Sequence, residues 1–303
     1  MARPDARWSA RALEAAVWIA PAIVAGMFLW LLGDLLARGV AAFLPREADA
    51  FDFGAAIELG RNIVAFLTSA PERAGRGGGI APILVSTGLI LAVCIAAALP
   101  FGLGTALFLS EFVPLRSRFG TLVRRSLDVL AGVPSIVFGL FGNALFCRLL
   151  GLRFSILSGG LTLACMVLPL LIRTAEESFR AVPISQRHAA AAAGFSQWST
   201  VFRIVLPQAA PGLVAGLILG IGRALAETAA LIFTSGYVDR MPGSLLDSGR
   251  ALSIHIYDLS MNVPGGNAHA YASALVLIVL LVLINAAARW STMRLLHGQE
   301  RRA

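Results

Sequence analysis

The sequence predicts an all-α, polytopic membrane protein with six crossing helices, and three observations carry that prediction. Hydrophobic residues make up 57% of the 303 positions and charged ones only 14%, against roughly 25% charged in an ordinary soluble domain. Mean hydropathy is +0.78. The apolar residues gather into six runs, at 15–36, 80–109, 128–150, 154–172, 208–235 and 271–290. Each approaches the ~20 residues a helix needs to cross a ~30 Å hydrocarbon core. Backbone inside lipid must satisfy its own N–H and C=O groups, so long uncharged runs of this kind are helices.

The first run follows Arg3, Arg7 and Arg11. A cleaved signal peptide has the same order of features, but its apolar core is ~7–15 residues, so a retained first span is expected. Residues 38–79 are polar, with Glu47, Asp49, Asp52, Glu58 and the stretch PERAGRGGG. Those glycines look like a phosphate cradle only superficially, because no Lys-Ser/Thr follows them. A flexible entry to the second span is expected instead. The second run is interrupted by Pro100 and followed by Glu111 and a segment holding Arg116, Arg118, Arg124 and Arg125. The third contains AGVPSIVFGLFGNA, in which Pro134 breaks the helical ladder while Gly132, Gly139 and Gly142 permit close packing or unwinding.

Six spans put both termini on one side. Fifteen arginines fall on that side and nine on the other, with Arg223 inside a span. The positive-inside rule then places residues 1–14, the segment 173–207 and the tail 291–303 in the cytoplasm, around a transmembrane domain covering 15–290.

All 25 basic residues are arginine. The lack of lysine removes a Schiff base and a Walker A site, so no ATPase chemistry is expected on this chain. Cys94, Cys147 and Cys165 lie in apolar runs and are read as small buried hydrophobes. The four histidines form no ligand spacing, so neither a metal nor a cofactor is expected. The net charge of +8 partly reflects topology and is compatible with an anionic substrate.

Segment 173–207 is too polar for a span and too alanine-rich for disorder. Ile184 to Ala193 should form a helix, given the propensity of alanine. Gly194 should end it at the C′ position, and Ser196 should cap a second short helix. A helix–turn–helix pinned between two spans is a lever. Its spacing resembles the cytoplasmic segment E-A-A-x3-G-x9-I-x-L-P of ABC importer permeases. His188, Ala189, Ala190, Gly194, Ile204, Leu206 and Pro207 fall on that pattern in order, with His188 where the family usually has glutamate. The resemblance implies a type I permease fold, with a coupling helix between spans four and five that docks on a separate ATPase.

In the fifth run Arg223 lies ~18 Å along the helix from Pro211, near the middle of the bilayer. Arginine there costs at least ~2.5–3.5 kcal/mol on insertion scales. Glu227 follows at i+4, so a continuous helix would set both on one face. Two readings stay open. The pair either locks helix packing, or Arg223 lies on a polar substrate route with Glu227 weakening its hold on the anion. Arginine suits the second task, because its planar fork binds phosphate oxygens and stays charged.

The wording of the runs narrows the resemblance. LGIGRALAETAALIFTSG, DVLAGVPSIVFGLFG and AGRGGGIAPILVSTG are similar to segments of PstA-type phosphate permeases, collinearly from about Pro71 to Trp290. One departure is Ala226, where a glycine often precedes the Glu-Thr pair. The resemblance implies an inner-membrane subunit of a phosphate importer. Its expected partners are a PstC-like second permease, two copies of an ATPase that hold ATP and Mg²⁺, a periplasmic or extracellular phosphate-binding protein and membrane lipid, with no nucleic acid. It also implies that the anion passes near Arg223, where Gly132, Pro134 and Ser135 either supply unwound backbone or only pack. A permease for phosphonate, sulfate or molybdate is the nearest alternative. An ion-gradient-driven carrier would have no use for the docking spacing. A membrane enzyme has little support, since Glu176 and Glu177 diverge by ~100° on a helix and read as a solvated face.

Overall fold

The computed structural model describes residues 5–44, 53–114 and 116–300. The expectations for Glu47, Asp49 and Asp52, and for the extreme ends of both termini, lie outside the described residues. The chain is helical almost throughout. Its elements are α1 (Asp5–Ala41), α2 (Phe53–Thr68), a two-strand turn of β1 (Pro71–Glu72) and β2 (Gly77–Gly78), and α3 (Ala81–Leu107). Next come α4 (Arg118–Ala131), α5 (Ser135–Gly142), α6 (Ile156–Arg180), α7 (Ile184–Ala192) and α8 (Gln197–Thr200). They are followed by α9 (Leu206–Leu225), α10 (Ala229–Ile232), α11 (Leu252–Met261) and α12 (Asn267–Glu300). Among the described residues five helices are long and apolar enough to cross a membrane, at Val17–Ala41, Ala81–Phe112, Ile156–Arg180, Gln197–Leu225 and Asn267–Trp290. A sixth crossing is made if Arg118–Ala131 and Ser135–Leu149 count as one broken span.

The third span, expected over 128–150 with a break at Pro134, is bent there and starts earlier. Its two pieces meet at 100°. Pro134 has no N–H to donate and adopts φ −58°, ψ 140°, outside the helical region. The piece before it starts ten residues earlier than expected, because Ser117 accepts from the Gly120 amide and caps it. Arg118, Arg124 and Arg125, read from the sequence as a loop, therefore stand on a helix.

The core forms where α6 packs between α3 and α9. Small residues let the backbones close up, as in membrane helix pairs generally. Along α9 a glycine recurs every fourth position. Gly212 faces Ser178, Gly216 faces Thr174 and Gly220 faces Val167, and a Cβ on any of them would come within 2.8 Å of those side chains. Ile90, Leu163, Val167, Leu171 and Ala224 are sealed together inside one cluster. Cys94 and Cys147 are buried and unpaired, and Cys165 is half-buried and unpaired. By contrast, α1 is exposed along most of its spanning part; it touches α12 where Gly39 is buried against Leu275 and Tyr271.

The fifth span also ends earlier than the expected 208–235. Its helix ends at Leu225, and residues 226–251 fold into α10 and a looped cap at the end remote from α7. Arg250 organises this cap by donating from Nε to the Tyr237 carbonyl at 2.8 Å and pairing with Asp258 at 3.2 Å. Below it His255 is 1% exposed, and its Nδ1 has no partner among the described residues. Burial first, then the nearby Arg250 charge, pushes its pKa down from 6.5 to about 4.

The unfolded chain therefore binds an extra proton between about pH 6.5 and 4. His255 then removes stability as pH falls through that window, at up to ~1.4 kcal/mol per pH unit. Above pH 6.5 it adds no dependence. Thermal denaturation of the purified protein from pH 7.5 to 4.5 is expected to steepen on the acid side, and His255→Leu to flatten that slope. Equal slopes in the two proteins would contradict this account.

Candidate functional site

A cavity of about 560 Å³ opens between α4, α6 and α9, with the start of α5 at its inner end. Its wall on α6 runs from Met166 to Arg180, roughly 21 Å of helix. Arg223 lies at the deep end. Gly220, three residues earlier, rests on Val167, the twelfth residue of the 25-residue α6. Arg223 is thus near the middle of the helix it faces.

The charges around this cavity sort into bound and unbound. Arg124 and Arg180 both bond Glu176, at 2.8 Å each. Arg173 is held by Asp128 at 3.1 Å and more loosely by Glu177 at 3.8 Å. Arg125 and Arg223 have no ion-pair partner among the described residues, and both side chains are exposed on the wall. Five guanidinium groups against three carboxylates leave an excess of two positive charges. Phe138, Met166, Pro169 and Leu170 supply apolar surface among them. Such a wall attracts an anion and gives it little to bind permanently.

This arrangement corrects two readings of the sequence. Glu176 is not part of a solvated face: it is 7% exposed and is the keystone between Arg124 and Arg180, while only Glu177 looks outward. One signal was available, since Glu176 and Arg180 share a helix face at i+4. The bond to Arg124, 52 residues away, was not visible.

The second correction concerns Glu227. Because α9 stops at Leu225, Arg223 and Glu227 do not share a helical face, and no ion pair joins them. Glu227 Oε1 instead accepts from the Ala230 amide at 3.3 Å, at the start of α10, and its carbonyl accepts from Ser253 Oγ at 2.6 Å. It does not line the cavity. A glutamine can still accept at that position, so Glu227→Gln is expected to leave transport within about twofold of wild type. Glu227→Ala should cost about 1 kcal/mol in thermal stability through the lost cap. A large uptake change in Glu227→Gln would return the residue to the pathway.

Gly132, Pro134 and Ser135 form the corner of the broken span. They do not line the cavity; Ala131 and Phe138 on either side do. The corner's polar groups are turned inward on the chain, with the Gly132 amide on Val129, the Val133 amide on Leu130 and the Pro134 carbonyl accepting from Val137. The corner shapes the wall.

At the far end of α6 stands the docking segment. α7 closes with a complete Schellman motif: the Phe195 amide bonds the Ala190 carbonyl at 3.0 Å and the Gly194 amide bonds Ala191 at 3.0 Å. This requires the left-handed φ of +80° that Gly194 adopts. Ser196 then caps α8 by accepting from the Ser199 amide. His188, Ala189 and Gly194 face outward and Ala190 packs inward, while Ile204, Leu206 and Pro207 are half-buried where the chain turns into α9. Ile184, Trp198 and Phe202 add exposed apolar surface beside them.

Residues 98–297 match the family described as binding-protein-dependent transport system inner membrane component. The chain is similar to the probable ABC transporter permease protein YqgI of Bacillus subtilis, with 31% identity covering 74% of this chain and 81% of that protein. It is similar to the phosphate transport system permease protein PstA 1 of Mycobacterium tuberculosis, with 36% identity over 70% of this chain and 69% of that one. Among solved structures, the inward-facing MetNI methionine ABC transporter superposes with a TM-score of 0.57 over 71% of this chain and 96% of its own, at 17% identity. At that identity the likeness speaks for the fold alone.

Proposed function

The chain belongs to the family of binding-protein-dependent transport system inner membrane components, and we propose that the solute it helps to import is inorganic phosphate. As an ABC importer permease subunit it is a multi-pass protein of the inner membrane that works with an ATPase and a solute-binding protein. The observation that carries the phosphate reading is Arg223, a guanidinium with no ion-pair partner among the described residues, at the deep end of a cavity with excess positive charge. The similarity to PstA 1 supports it. Asp128 and Glu177 on the same wall favour an oxyanion that still carries a proton to donate. Phosphate at neutral pH carries one or two and sulfate has none, so the carboxylates would repel sulfate.

In this reading a PstC-like permease closes the open side of the cavity. Two ATPase copies, which bind ATP and Mg²⁺, dock at the surface around His188, Ala189 and Gly194 in the cytoplasm, where both termini also lie. ATP binding draws the docking helices together and reorients the cavity, in an alternating-access cycle. A phosphate-binding protein delivers solute from outside. ATP-driven uptake of labelled phosphate tests this, using the chain reconstituted with the products of its neighbouring genes. Excess unlabelled phosphate is expected to compete, and sulfate and phosphonate to compete at least tenfold less well. Strong competition by sulfate would move the assignment to another oxyanion.

A further inference from the structure

We propose that Glu111 is a positioning residue, the tie through which the docking element moves α3; the proposal rests on the reading of α7 as the ATPase dock. The docking element is joined covalently to α6 and α9 only. Yet both of its arms converge on one residue at the end of α3. Beyond Leu107 that helix widens into a π-helical stretch, Phe108–Phe112, and Glu111 lies in its last turn with a side chain 9% exposed.

From the first arm, Arg187 of α7 grips the Glu111 carboxylate with both faces of its fork. Nη2 donates to Oε1 at 2.8 Å and Nε to Oε2 at 3.3 Å. The same guanidinium donates to the carbonyls of Phe179 and Val182, where α6 ends. From the second arm, Gln197 of α8 donates from Nε2 to the Glu111 carbonyl at 3.1 Å. Two residues back, the Leu109 carbonyl accepts from Arg124 at 3.1 Å and from Arg180 at 3.0 Å. The end of α3 is therefore held by groups from α4, α6, α7 and α8.

The geometry matters mechanically. Helices that meet only through apolar packing can slide past one another by small shears. A bidentate arginine–carboxylate bond resists sliding, because it fixes orientation as well as distance. Sheltered from water, it has no cheap replacement partner when the helices move apart. Motion imposed on α7 therefore reaches α3 directly, and through α3 the side of the core that does not line the cavity. Sequence spacing hides this connection, since 76 residues separate Glu111 from Arg187.

The test uses the full reconstituted complex and reads solute transported per ATP hydrolysed. Glu111→Gln is expected to retain the ATPase subunit through purification and to lower that ratio at least fivefold. Arg187→Gln should do the same, and the double variant should be no worse than either single. Glu111→Asp should recover part of the loss. A wild-type ratio in Glu111→Gln, or additive losses in the double variant, would overturn the proposal. A second measurement does not depend on how the variants fold. Spin labels at Ser185 on α7 and Phe101 on α3 should keep a constant separation through the ATP cycle, while Ser185 and Tyr257 change theirs. A Ser185–Phe101 distance that changes as much as Ser185–Tyr257 would also overturn it. Absence of any ATP-driven uptake by the wild-type complex would instead defeat the docking reading.

Discussion

Arg223→Ala is expected to lower ATP-dependent phosphate uptake about a hundredfold while the complex still assembles and still hydrolyses ATP. A guanidinium fork can give a passing phosphate two charge-assisted hydrogen bonds, each worth ~1.5–3 kcal/mol. Losing one of them is at least about tenfold and losing both about a thousandfold. The variant should fold, because Arg223 is exposed on the cavity wall and has no ion-pair partner among the described residues. Truncating it leaves no opposite charge stranded. Arg223→Lys keeps the charge but loses the planar fork, and should fall between the two. Initial rates of labelled phosphate uptake check this, and an Arg223→Ala rate within twofold of wild type would contradict it.

Glu176→Ala is expected to act on the fold before it acts on transport. Its carboxylate sits between Arg124 and Arg180, whose side chains are only about a quarter exposed, at 25% and 27%. Removing it leaves two guanidinium groups facing each other without a counter-charge. Breaking a buried pair in this way costs ~3–5 kcal/mol, and the remaining exposure puts the loss near the lower figure. The two arginines also hold the end of α3 through the Leu109 carbonyl, so α3, α4 and α6 should loosen together. Thermal denaturation in detergent should show a midpoint lower by several degrees, with Glu176→Gln recovering only part of it. An unchanged midpoint in Glu176→Ala would mean that the keystone is not bearing that charge.

How far the sequence could be read depended on whether local or distant groups decided each feature. The docking segment was legible because its parts are set within a few residues: alanines favour the first helix, Gly194 alone accepts the left-handed turn cheaply, and Ser196 caps the second helix. The presence of Arg223 inside a span was legible from hydropathy. Its pairing with Glu227 was not, since the i+4 argument assumes a helix that continues. The helix stops at Leu225, and beyond it Ser253 and Ala230 engage Glu227, contacts no local pattern records. The break at Pro134 was legible as a break. The capped, arginine-bearing helix before it was not, because its polar face reads as a loop until Glu176 and Arg173 of α6 are seen beside it. The binding of Glu176 to Arg124 and of Glu111 to Arg187 joins residues 52 and 76 positions apart. Only the folded bundle brings them together.

The central claim is that phosphate crosses the membrane against Arg223. A structure of the assembled complex, trapped during turnover in saturating phosphate, tests it most directly. The account predicts a phosphate in the cavity with at least one oxygen within about 3 Å of the Arg223 guanidinium. A phosphate held elsewhere between the two permeases, with Arg223 turned toward lipid or bonded to the partner permease, would contradict it.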